Sequence, residues 1–171
     1  MPNTISTRCP KWCKLDQGWL KCNIDAAIFQ EDHSVGFGCI IRDDTGSMVG
    51  AKNGKLLGCV DPLLAEAMSC REALSWIKKL NITKLIVESD ALKLVQAFEH
   101  PTSHLSYFGS ILCDCQILAK DLSEFHLIHV NQSANVAAHT LARAAFFESD
   151  HESWSLCPPP FLFDVLAIDN K

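Results

Sequence analysis

Three carboxylates carry the clearest chemical signal in this chain, each in a different local setting. Asp25 lies in a strand-like run, Glu66 in a helical pattern, and Asp90 directly after a second strand-like run. Acids at the ends of adjacent strands, joined by one from a packed helix, can converge into a pocket of concentrated negative charge. Such a pocket suits hard divalent cations, which take oxygen ligands and keep positions open for phosphate. Each acid also has a plainer reading. An acid within a strand is disfavoured by propensity and is commonly an edge or solvent-facing residue. Glu66 sits beside the apolar stripe of Leu63, Cys70 and Ala73, where it is either bound to a partner or reaching solvent beside Arg71. Asp90 has the place of an ordinary N-cap, yet the ends of parallel strands are also where α/β sheets put their ligand sites.

The elements that must position these residues follow from the hydrophobic pattern. WLKCNIDAAIF (Trp19 to Phe29), a run from Val35 to about Arg42, and SMVGAKNGKLLG read as three strands joined by short polar turns, Asp43-Asp44-Thr45-Gly46 being the clearest. In the first of them Lys21, Asn23 and Asp25 share one side, and Cys22 and Ile24 share the other. The period changes at Asp61-Pro62. Leu63, Ala67, Cys70, Leu74 and Ile77 recur at helical spacing, with Asp61 as cap and Pro62 in the first turn, and this helix should end near Asn81. A β-rich run from Lys84 to Val87 leads to Asp90. Helices are expected over Ala91 to Glu99 and roughly Ser106 to Leu122, a strand over Phe125 to Val130, and a last helix over about Ser133 to Phe147. The order βββ, α, β, αα, β, α predicts an α/β domain. Its mixed five-stranded sheet would join an antiparallel meander to parallel strands, with helices on both faces. Residues 1–17 read as a leader or linker, 18–148 as the domain, and 149–171, with Pro158-Pro159-Pro160, as an irregular tail.

Composition narrows the function class. The chain has 171 residues, 48% apolar and 20% charged, which suits one globular domain. A net charge of −5 argues against a strongly basic nucleic-acid clamp, and no separate basic protrusion is visible. No apolar run approaches the roughly 20 residues of a membrane span. The N-terminus lacks the apolar segment of a secretory signal, so an intracellular protein is expected, nuclear or cytoplasmic, since no clear basic address is present. The nine cysteines form no paired CxxC motif and no His completes a zinc spacing, so they are expected to be small buried hydrophobes in a reducing compartment. A zinc- or thiol-based enzyme is excluded on that ground.

The stretches WLKCNIDAAIF, GFGCIIRDDTGSMVGA, LLAEAMSCREAL, LIVESDALKLV and HVNQSANVAAHTLARAA, in this order over about residues 19 to 146, resemble the ribonuclease H domain. The likeness is greatest to the plant type found in non-LTR retrotransposon reverse transcriptases and in small free-standing relatives; Lys11-Trp12 and Trp154 with Pro158-Pro159 resemble that group's flanks. The resemblance implies a ribonuclease H-like fold and cleavage of the RNA strand of an RNA–DNA hybrid with two Mg²⁺ ions. It assigns Asp25 as the first-strand acid bridging both metals, Glu66 as the helix acid and Asp90 as the fourth-strand acid. Two cations about 3.5–4 Å apart can activate a water and stabilise the leaving oxygen of an in-line displacement. Recognition of the hybrid would rest on shape, 2′-OH and phosphate contacts.

The departures from the family pattern are specific. Its last motif commonly reads N-x-x-A-D-x-L-A, whereas Asn135-Val-Ala-Ala138-His139-Thr-Leu141-Ala142 puts histidine at the acid's place, an exchange many plant relatives share. A neutral imidazole removes one negative charge and suits Mn²⁺ better than Mg²⁺. His139 could ligate a metal, position the product phosphate or merely occupy the space; read in isolation it is a surface histidine near Arg143 and Phe146. Ala26 stands where glycine is usual and Gln132 where the plant pattern often has arginine. His126 and His129 read as structural or surface residues. Two functions follow: a metal-dependent endonuclease on hybrids, or a retroelement-derived nucleic-acid-binding or interaction module with weak or no catalysis. The three acids favour the first, while His139 and the acidic net charge favour the second.

Overall fold

A computed structural model describes residues 15–58, 61–100, 105–148 and 150–169. Most of the expected leader, with Cys9, Cys13 and Trp12, lies outside the described residues, as does Cys59. The three expected strands form: β1 (Leu20–Phe29), β2 (Ser34–Arg42) and β3 (Met48–Leu57), each antiparallel to the next. The β2–β3 turn is built as its composition predicts. Gly46 takes a positive φ, and the Asp43 carboxylate accepts from the Thr45 and Ser47 backbone N–H groups.

Helix α1 (Pro62–Lys79) begins where Asp61 accepts from the Leu64 N–H at 2.7 Å, and it closes on Lys78 and Lys79, which complement the carboxyl-end dipole. Asn81, at φ 55°, then turns the chain into the left-handed region and ends the helix. Strand β4 (Lys84–Ser89) pairs parallel with β1. Helices α2 (Leu92–Glu99) and α3 (Tyr107–Ala119) carry the chain to β5 (Glu124–His129), parallel to β4. The last predicted helix is segmented. A 3-10 turn at Gln132–Ala134 precedes α4 (Val136–Ala144), and a second follows at Ala145–Phe147. The break falls at Asn135, whose side chain turns inward and donates to the Ile24 carbonyl at 2.8 Å instead of capping the helix.

The tail differs from the irregular segment expected. Residues of β6 (Glu152–Ser155) pair antiparallel with β3, Trp154 opposite Ala51, and α5 (Phe163–Asp169) follows a 3-10 turn that starts at Pro160. The sheet therefore has six strands rather than five, in the order β5-β4-β1-β2-β3-β6. A four-residue strand carries too little alternation to be read locally. Its place is set by Trp154, which packs toward Phe161 and the small cluster under α4.

Helices cover both faces, as expected. Cys22, Ile24, Leu85 and Val87 meet Leu74, Ile77 and Cys115 on one side, while Ile40 and Ala51 meet Ala137, Leu141 and Leu162 on the other. The second layer is thin because α4 presents mainly alanines and β2 presents glycine. A Cβ at Gly38 would overlap the Ala142 backbone nitrogen and the Ala138 carbonyl oxygen, so only glycine lets α4 lie this close. Gly38→Ala is expected to destabilise the protein by about 3 kcal/mol, the upper part of the overpacking range, because backbone rather than a flexible side chain must give way. Urea unfolding checks it; an unchanged midpoint would mean that α4 shifts freely over the sheet.

Candidate metal centre

The register of the parallel pair sets the geometry of the acids. Asn23 stands opposite Glu88, so two residues further on Asp25 comes beside Asp90 at the carboxyl end of β4. Glu66 arrives from α1, which is tied to β1 by the Ser69 hydroxyl donating to the Asp25 carbonyl at 2.7 Å. Ligand oxygens of Asp25, Glu66 and Asp90 all lie within 4.8 Å of one another. The plainer readings of the acids do not describe this arrangement. Asp25 is 4% exposed. Arg71 faces Glu72 and Asp114 instead of Glu66. Residue 91, not Asp90, holds the N-cap position of α2, and no side chain caps that helix.

His139 joins this group. It projects from α4 with Nδ1 2.7 Å from Asp25 Oδ2, and its side chain is 41% exposed. The imidazole thus forms the solvent-side wall of a centre whose floor is Asp25. His126 stacks on Trp19, and His129 ends β5 opposite Ser89; neither belongs to the cluster of acids.

Behind the acids runs a hydrogen-bond chain that sequence reasoning did not assign. Asn135 Nδ2 donates to the Ile24 carbonyl and, at 3.3 Å, to Asp90 Oδ1; its Oδ1 accepts from Asn23 Nδ2, which also donates to Glu88 Oε2 at 2.8 Å. Glu88 in turn pairs with Lys21 at 2.8 Å, both almost wholly buried. A buried charge is tolerated only when paired and hydrogen-bonded, and this pair meets that condition. Asn135 is therefore the strut that fixes Asp90 against β1. The shared side of Lys21, Asn23 and Asp25 was the available signal in the sequence.

The electrostatics fit a cation. Burial, and then the Asp90 charge, push the Asp25 carboxyl from 3.8 up to about 6, against the opposing pull of His139. Burial, and then the charges of Asp25 and Asp90, push Glu66 from 4.5 up to about 9. Glu66 Oε2 is buried with no hydrogen-bond partner among the described residues. Three oxygen donors that repel one another, one with an orphaned atom, suit a hard divalent ion. Thiol chemistry does not arise here: Cys22, Cys39, Cys70 and Cys115 are buried, and hydrogen bonds from neighbouring thiols together with burial push Cys22 and Cys70 up.

A stability consequence follows. Between roughly pH 4 and pH 9 the folded protein without metal holds more protons on Asp25 and Glu66 than the unfolded chain does, so stability falls as pH rises. The contribution is fully present below the unfolded values and is lost as pH passes about 6 and then about 9. In chelator, the melting temperature is expected to drop between about pH 5 and about pH 8, where relief of acid denaturation at other carboxylates would raise it. Glu66→Gln should flatten that slope and stabilise the metal-free protein near neutral pH, each tenfold change in proton affinity being worth about 1.4 kcal/mol. Identical pH slopes for both proteins would show that burial and the neighbouring charges do not raise Glu66.

The chain matches a family model described as reverse transcriptase-like over residues 23–145. No curated protein sequence matches it. Solved structures with the same fold include ribonuclease H1 from the halophilic archaeon Halobacterium salinarum, at 15% identity and a TM-score of 0.68, covering 75% of this chain and 97% of that one. The N-terminal ribonuclease H domain of a Mycobacterium tuberculosis protein aligns at 18% identity and a TM-score of 0.66, covering 74% of this chain and 92% of that one. The LC11 ribonuclease H1, solved in complex with an RNA/DNA hybrid, aligns at 14% identity and a TM-score of 0.66, covering 74% and 95%. No helix among the described residues is long and apolar enough to cross a membrane.

Proposed function

The chain belongs to the reverse transcriptase-like family and has the ribonuclease H fold, and from that premise we propose that it is a metal-dependent endonuclease cleaving the RNA strand of RNA–DNA hybrids. The observation that carries this reading is the convergence of Asp25, Glu66 and Asp90 oxygens within 4.8 Å, beside a buried, unbonded Oε2 of Glu66. Asp25, Glu66 and Asp90 would hold divalent cations, Mg²⁺ or Mn²⁺, with His139 at the rim. Bound cations supply Lewis acidity, an activated water and charge neutralisation on the leaving oxygen.

The chain's own residues prepare the site. Asn135 fixes the Asp90 carboxylate through its amide, so the acid does not turn toward α2 as a cap. The Asn23–Glu88–Lys21 set holds that amide and adds no net charge, leaving the three site acids as the uncompensated negative centre. Glu66 and Asp25 give up protons when a cation replaces them, which couples metal affinity to pH. His139 keeps Nδ1 on Asp25, and its partly exposed ring lies at the edge of the centre, where it could meet a phosphate oxygen.

One observation favours the second reading, a nucleic-acid-binding module with little catalysis. His139 engages an oxygen of Asp25, the very carboxylate assigned to bridge metals. A labelled hybrid incubated with the protein in Mg²⁺ and separately in Mn²⁺ decides between them. Cleavage of the RNA strand supports the enzyme; binding without any cleavage in either metal leaves the module.

A further inference from the structure

A second surface opens on the same helix face. Phe29, Thr140, Arg143, Phe146, Phe147 and Phe161 line a groove of about 690 Å³. Its rings form a run. Phe29 and Phe146 are 5.0 Å apart at 67°, and Phe146 and Phe147 are 5.2 Å apart at 90°, so each pair meets edge to face instead of stacking. Phe147 is 85% exposed and Phe146 39%. Packing of the second layer therefore accounts for Phe29 but not for Phe147, which has little to gain from water contact.

Cations accompany the rings. The Lys55 ammonium lies 5.1 Å from the Phe146 centroid, held there by Asp32 at 2.8 Å. Arg143 is exposed, and its side chain makes no ion pair or hydrogen bond among the described residues. Exposed aromatic faces beside basic side chains make a stacking platform for unpaired bases, sequence-tolerant because every base has a π-face. Glu31 and Glu148 also border the groove. They disfavour a duplex, with its two lines of phosphate, more than a single strand with one.

The groove and the metal centre are built on the same two elements, α4 and β1. His139 and Arg143 are one turn apart on α4, about 6 Å along its axis. Asp25 and Phe29 lie on the same side of β1, about 13 Å apart along the strand. A nucleic-acid strand rising about 3.4 Å per nucleotide covers that span in about four nucleotides. A protein partner would need roughly 800 Å² of matched surface on each side, whereas one groove lined by four rings suits a few nucleotides.

We propose that this groove binds the unpaired, single-stranded segment adjoining the hybrid region that the centre cleaves, with bases stacked on Phe146 and Phe147 and a phosphate on Arg143. The strand's path rests on the nuclease reading; the groove's chemistry does not.

The probe is a fluorescein-labelled single-stranded oligonucleotide of about 12 nucleotides, within the size range of such grooves. Its binding to the whole protein is followed by polarisation in chelator. Phe147→Ala should weaken binding roughly five- to a hundredfold, the span of one lost base stack. Arg143→Ala should lower the log–log salt slope by about 0.7, one phosphate contact on a single strand. Phe163→Ala removes a ring that is 51% exposed but outside the groove, and should leave the affinity unchanged. No binding by the wild-type protein, or equal affinity in Phe147→Ala, overturns the proposal. So does Phe147-dependent self-association in sedimentation without oligonucleotide binding, which would give this face to a protein partner. Cleavage of a blunt hybrid by the wild-type protein is scored separately, so the groove and the nuclease reading fail independently.

Discussion

Asp25→Asn is expected to reduce hybrid cleavage by on the order of a thousandfold in either Mg²⁺ or Mn²⁺, since an electrostatic centre of this kind supplies several kcal/mol to the transition state. Asn conserves the shape of the side chain and keeps a polar contact for His139 Nδ1, but it removes the charge at the floor of the centre. The fold should survive, because Asp25 is a source of repulsion and not of cohesion: its carboxyl is raised to about 6 by burial and by Asp90. In chelator the variant should melt at the same temperature as the wild-type protein or higher, read by circular dichroism. The pairing of lost activity with retained or improved stability is the signature. Activity that persists undiminished in Asp25→Asn would belong to a copurifying nuclease, and the catalytic assignment of this chain would fall.

Much of the centre was legible in the sequence because each acid sits at a position that the element pattern itself determines. Asp25 shares its side of β1 with Lys21 and Asn23, and the structure keeps all three on the side facing α4, opposite Cys22 and Ile24. The cap and end of α1 were readable from Asp61, Pro62 and Asn81, whose backbone preferences act over a few residues. Features that depend on distant pairing were not. The anchoring of the Asp90 carboxylate is visible only once Asn135, 45 residues further along the chain, donates to it. The same inward turn of Asn135 splits the last helix, which its apolar spacing presents as continuous.

The limits at the C-terminal end have the same origin. Strand β6 exists through its register with β3 and through Trp154, not through its own four residues. The groove beside α4 is not legible in the sequence because Phe29 ends a strand and Phe146 falls at the end of the last predicted helix, far apart in the chain. Only the approach of α4 over Gly36 and Gly38 brings the two rings within 5.0 Å. The buried Lys21–Glu88 pair is a further case. Its members occupy strand positions where charge is disfavoured, and each is explained by the other.

His139→Asp is the second large effect, and its direction discriminates between roles for the imidazole. In the wild-type protein an imidazole touches Asp25 and lowers the proton affinity that burial and Asp90 raise. Aspartate there would reverse that influence, placing a fourth carboxylate beside three that already repel. The metal-free variant should therefore be less stable than the wild-type protein near neutral pH, with a steeper loss as pH rises, because its folded state would hold still more protons than the unfolded chain. Divalent cation should restore that stability, and Mg²⁺ more completely than before, since an all-oxygen donor set suits Mg²⁺ whereas imidazole suits Mn²⁺. Activity in Mg²⁺ relative to Mn²⁺ should rise by about tenfold or more, equivalent to about 1.4 kcal/mol of differential stabilisation. Thermal melts with and without each metal, alongside cleavage rates in both, give the two readouts. An unchanged Mg²⁺ to Mn²⁺ ratio combined with unchanged metal-free stability would make His139 a bystander. A large loss of stability without any change in the ratio would confine it to hydrogen-bonding Asp25. Only the joint shift places the histidine among the groups that set which metal the centre uses.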